Sequence, residues 1–102
     1  MKSLLIALLL TLSLFGQHKI NDCTYKGIEL KGNVKIVEHF PDITIQVVEY
    51  FPDITIKIVE NFPNDCGEWK LVENFPDFKV KIVENNADLK VKFVRYFPGK
   101  TD

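Results

Sequence analysis

The strongest constraint on this chain is a repeat with an odd period. Phe-Pro, or a degenerate form of it, recurs at Phe40-Pro41, Phe51-Pro52, Phe62-Pro63, Phe75-Pro76, Asn86-Ala87 and Phe97-Pro98, eleven residues apart except for a spacing of thirteen between Phe62 and Phe75. Two apolar columns keep step with it: Ile36, Val47, Ile58, Leu71, Ile82 and Phe93, and beside them Val37, Val48, Val59, Val72, Val83 and Val94. Repetition of this fidelity means that one structural unit recurs. Side chains of a strand alternate faces every two residues, so an unbroken strand repeating every eleven would send each column to opposite faces in successive units. The alternation must therefore restart once per repeat. The adjacent apolar pair Val47-Val48 and its equivalents are the candidate place, where a bulge or sharp bend would bury two neighbours together.

Each unit reads as a strand followed by a turn. In "ITIQVVEY", residues 43–50, β-branched residues alternate with Thr44 and Gln46, as in a half-buried strand. Proline presets a turn angle, and the following aspartate or asparagine can close the turn with its own side chain. The phenylalanine before the proline is expected to plug the core at the strand end, not to serve as a ligand-stacking platform. Seven strands are predicted: Tyr25–Leu30, Val34–Phe40, Ile45–Phe51, Ile56–Phe62, Trp69–Phe75, Val80–Asn86 and Val91–Phe97. No segment beyond the N-terminal leader has helical character, which makes the class all-β.

That leader, residues 1–16, has one lysine and then an apolar run from Leu4 to Phe15, the pattern of a secretory signal peptide. A run of about twelve residues is too short to span a bilayer, which takes roughly 20. Residues 17–102 form one small exported domain, secreted or periplasmic. Its two cysteines, Cys23 and Cys66, each follow Asn-Asp. In an exported chain an even count reads as one disulfide, against the alternatives of reactive thiols or a metal pair. Only His18 and His39 could join the cysteines around a metal, and neither has zinc-finger spacing. A net charge of −1 argues against a nucleic-acid partner and against a polybasic membrane anchor, so no membrane insertion is expected once the leader is gone.

Little in the composition points to catalysis. The only serines, Ser3 and Ser13, lie in the leader, which removes Ser-His-Asp chemistry from the domain. Glu38, Glu49, Glu60, Glu73 and Glu84 form one acidic column and Asp42, Asp53, Asp77 and Asp88 another. Brought together, such groups could hold calcium or act as the acid pair of a small hydrolase. A matching basic column, Lys35, Lys57, Lys70, Lys81 and Lys92, favours instead a solvated face on which the two signs screen each other. The expected protein is thus a non-enzymatic structural or binding module with no catalytic, cofactor or metal residues. A protein or glycan partner would be met by exposed aromatics among Tyr25, Tyr50, Trp69 and Tyr96, although Tyr25 and Trp69 also suit equivalent core positions after each Asn-Asp-Cys.

The repeats "VKIVEHFPD" at 34–42, "ITIQVVEYFPD" at 43–53, "ITIKIVENFPN" at 54–64, "GEWKLVENFPD" at 67–77 and "VKFVRYFPG" at 91–99 resemble the septoil-knot domain family. The resemblance covers the chain from Cys23 onward and departs from the pattern at "ENNAD", residues 84–88. It implies a backbone threaded into a seven-crossing torus knot, and its motif, a fold signature, holds no catalytic residues.

Overall fold

The structure, a computed structural model, describes residues 19–100. The leader expected at residues 1–16, and His18, lie outside the described residues. Nine strands and no helix are present among them: β1 (Thr24–Tyr25), β2 (Ile28–Glu29), β3 (Gly32–Ile36), β4 (Ile43–Val47), β5 (Ile54–Ile58), β6 (Glu68–Leu71), β7 (Phe78–Ile82), β8 (Leu89–Phe93) and β9 (Gly99–Lys100). The all-β expectation holds, with the boundaries moved. Each long strand starts about two residues earlier than the pattern suggests and stops well before the Phe-Pro position. The first unit is a small hairpin, β1 against β2, in place of one strand.

The six long strands pair in the order β6-β3-β7-β4-β8-β5, and β5 also pairs with β6, so the sheet closes on itself. Every pairing within this ring is parallel; only β9, on β5, is antiparallel. The register explains how parallel strands are joined by connectors of about six residues where a long crossover is usual. Ile36, which ends β3, and Ile43, which begins β4, both stand opposite Val80 of β7. The connector therefore steps over one strand, a span of about 10 Å from two strand spacings. Val47 and Ile54 flank Val91 in the same way, and Ile82 and Leu89 flank Ile45.

Successive strands thus skip a neighbour: β3 to β4 passes β7, β4 to β5 passes β8, β6 to β7 passes β3, β7 to β8 passes β4, and β8 to β9 passes β5. Between β5 and β6 lies a seventh place. The N-terminal unit reaches it through the Leu30 carbonyl, which accepts the Gly67 N–H at 2.9 Å, and β9 enters it from the other terminus. Gly67 is required there, at φ +83°, because a Cβ would stand 2.6 Å from the Thr55 carbonyl oxygen. Seven places taken two at a time carry the chain twice around the axis, which is the winding of a seven-crossing torus knot.

The core fills the ring. Val34, Ile45, Ile56, Trp69, Val80 and Val91, the inward residues at the middle of the long strands, are all 0% exposed. Ile43, Ile54, Phe78 and Leu89 form a second buried layer, and Ile20, Leu30 and the half-buried Cys23–Cys66 pair pack against it. Trp69 meets the edge of Phe78 at 5.5 Å between centroids and donates its indole N–H to the Leu30 carbonyl at 3.2 Å. The disulfide joins the N-terminal unit to the connector before β6, with 5.7 Å between the Cα atoms.

The expected burial of adjacent apolar pairs is not what restarts the alternation. Ile36, Val47, Ile58, Leu71, Ile82 and Phe93 lie at the C-terminal ends of the strands and remain 39–49% exposed. The valines after them are half-buried and donate their N–H groups to the strand that the connector steps over, Val37 to Val80 and Val48 to Val91, each at 2.8 Å. The restart falls at the residue before the proline, or before Ala87 in the one unit that lacks it. Phe40, Phe51, Phe62, Phe75, Asn86 and Phe97 all have φ between 52° and 58°, in the left-handed region. Proline at the next position disfavours the right-handed helical region, and one left-handed residue breaks the pleat so that the next strand begins afresh.

Candidate functional site: an aromatic crown on the connectors

The phenylalanines expected to plug the core do the opposite. Phe62, the least exposed of the five, is 79% accessible and Phe97, the most, 95%. Their conformation accounts for it: the left-handed turn lifts the side chain away from the ring at the tip of each connector. Tyr50 and Tyr96 are exposed beside them, and His39 and Tyr96 lie 6.5 and 6.4 Å from the rings of Phe40 and Phe97. Of the other candidate aromatics, Trp69 is fully buried and Tyr25 packs against the core with its hydroxyl 3.3 Å from Asp88. The crown was missed because phenylalanine next to β-branched residues reads as core. A signal was nevertheless present: Asn86 occupies the same column, and a core position does not accept asparagine without a buried partner.

The aspartate column has a structural task. Asp42 donates its N–H to the Lys79 carbonyl at 2.9 Å and accepts the Lys79 N–H on its carboxylate at 2.7 Å. Asp53 does the same with Lys90, and Asp77 with Asn33. Asp88 accepts the Thr44 N–H at 2.8 Å, while its own N–H donates to the Thr44 hydroxyl at 2.9 Å. The aspartates therefore clamp strands 37 or 44 residues away, where the turn chemistry suggested closure of their own turn. The Thr44 backbone N–H holds the Asp88 carboxyl below the ordinary carboxylate range. Partial burial opposes this, and the Thr44 hydroxyl, Lys26 and Tyr25 reinforce it. Each clamp bonds a different strand, and the described residues contain no cluster of three or more potential metal ligands.

The glutamate and lysine columns form no ion pair with each other within 4 Å among the described residues. The ion pairs within 4 Å among the described residues are Lys19–Asp53 at 3.7 Å and Lys31–Glu29 at 3.6 Å. The signs are instead segregated by element. Strands β3 to β8 carry Lys35, Lys57, Lys70, Lys79, Lys81, Lys90 and Lys92 with Glu68 as their one acid, whereas each connector from 37–42 to 83–88 holds a Glu and at least one Asp and no basic residue but His39. Arg95 stands in the last connector where the others have glutamate.

A cleft of about 600 Å³ lies between the N-terminal unit, the connector after β5 and the start of β7, lined by Ile28, Glu29, Lys31, Pro63, Asp77 and Phe78 among others. Its two carboxylates are already engaged, Glu29 with Lys31 and Asp77 with the Asn33 N–H.

A closed parallel ring wound twice, built from eleven-residue units and presenting aromatic tips, defines a small repeat-built β-domain. Residues 27–101 match the 7(1) septoil knot domain, and the chain belongs to that family. A search of the curated proteins finds no match.

Proposed function

We propose that this chain is an exported, non-enzymatic binding module that engages its partner, a protein or a glycan, through the aromatic crown. The observation that carries the reading is the repeated placement of phenylalanine at Phe40, Phe51, Phe62, Phe75 and Phe97, where neither packing nor backbone preference calls for it. A left-handed non-glycine residue costs on the order of 1–3 kcal/mol, and exposing an aromatic ring gains nothing from the core. Backbone strain and apolar exposure coincide at each of the five, which supports a functional role for these side chains. The disulfide is compatible with export.

Carboxylate-dependent hydrolysis has less support. It needs one carboxyl pushed up to act as an acid beside an ionised partner. Asp88, the carboxyl that is clearly displaced, is displaced downward and is bonded to a strand.

The test is a pull-down from extracellular fluid with the folded chain as bait, against a variant carrying Phe40→Asn, Phe51→Asn, Phe62→Asn, Phe75→Asn and Phe97→Asn. The expected result is a species retained by the parent and lost from the variant. Equal retention by both, or none by either, counts against the crown as a binding surface.

A further inference from the structure

We infer that the partner of the crown is a cationic amphipathic polypeptide, one that carries lysine or arginine beside apolar side chains. This rests on the crown being the binding surface and adds what it recognises. Each of Phe40, Phe51, Phe62 and Phe75 follows an exposed glutamate, Glu38, Glu49, Glu60 or Glu73, by two residues. Two residues of chain keep those Cα atoms within about 7 Å. The tips therefore offer an aromatic face and a carboxylate together, and both attract a cation: the ring through its quadrupole, the carboxylate through its charge. The strand lysines leave these glutamates unpaired within 4 Å among the described residues, so their charge is available to a ligand. The apolar part of the partner would lie on the phenylalanine rings.

The same segregation selects against the main competitor, an anionic membrane surface. Aromatic residues that enter such a surface are helped by neighbouring lysine and arginine, whereas four of these five have glutamate at that place and only Phe97, after Arg95, fits the pattern. The lysines sit on the strands and not in the connectors that carry the phenylalanines.

The folded, oxidised chain is titrated with a synthetic amphipathic helix of lysine and leucine, with its glutamate and leucine counterpart, and with phosphatidylglycerol vesicles. Saturable binding of the lysine peptide alone is expected. It should weaken about tenfold or more when sodium chloride is raised from about 50 to about 300 mM, or on Glu38→Gln, Glu49→Gln, Glu60→Gln and Glu73→Gln together. The fivefold Phe→Asn variant should lose it, with the thermal midpoint of each variant showing that it is folded. If the glutamate peptide or the vesicles bind as tightly and the Phe→Asn variant abolishes that binding, the crown is a binding surface and the cationic assignment is wrong. If the Phe→Asn variant binds the lysine peptide as well as the parent does, both readings fall; if no probe binds, the cationic assignment is wrong, and the pull-down decides the crown.

Discussion

At the scale of the residue, the decisive position is the one before each proline. Phe51 is 91% exposed with φ +56°, so it contributes almost no burial and sits in a region that L-residues with large side chains disfavour. Asparagine, found at Asn86 with φ +58°, is among the few non-glycine types that tolerate this region. Phe51→Asn is therefore expected to leave the thermal midpoint unchanged or to raise it. A core phenylalanine reduced in size would instead cost about 3–5 kcal/mol. A drop of that order on thermal denaturation would show that Phe51 is held by packing after all. The strain thus separates two roles that hydropathy alone merges, since phenylalanine scores as core whether it points in or out.

The element that turns repeats into a sheet is the clamp between an aspartate and the strand that its connector has stepped over. The two bonds of Asp53 with Lys90, at 2.7 and 2.8 Å, join segments 37 residues apart. A hydrogen bond to a charged group contributes about 1.5–3 kcal/mol, and Asp53 is partly exposed, which puts Asp53→Ala near the lower end of that range in chemical denaturation. No loss would mean that water replaces the carboxylate freely. Asp88 adds a pH dependence of definite sign. Its carboxyl is held below its unfolded value, chiefly by the Thr44 N–H. The stability it contributes is full above the unfolded value near 3.9 and is lost as the pH falls through the lower folded value. Melting curves between about pH 2 and pH 6 should fall less steeply below about pH 4 for Asp88→Asn than for the parent. Parallel curves would remove Asp88 from the acid response.

For the whole molecule, closure is the organising fact. The additional pairing of β5 with β6 leaves the ring without open edges. Closure also depends on the seventh place, which both termini enter and the disulfide secures across 43 residues of sequence. The chain-entropy model assigns about 4 kcal/mol to a loop of that length. Cys23→Ser with Cys66→Ser should lower the denaturant midpoint by a corresponding amount, and a loss below about 1 kcal/mol would show that the winding holds the termini without the bond. Ring partners 37 or 44 residues apart in sequence also predict slow folding, because long loops close before any contact forms. Read residue by residue, the chain by itself determines the unit and its class: the β-branched columns make strands, the prolines end them, the odd period demands one restart per repeat, and the paired Asn-Asp-Cys segments suggest the bridge. Local pattern carries no information on which strand lies beside which. Only the tertiary structure decides that β7 stands between β3 and β4, that each aspartate bonds the strand its connector steps over, and that the phenylalanines face solvent. Parallel neighbours are chosen by contacts distant in sequence, and the left-handed turn that reverses each phenylalanine is stable only once those contacts hold it in place.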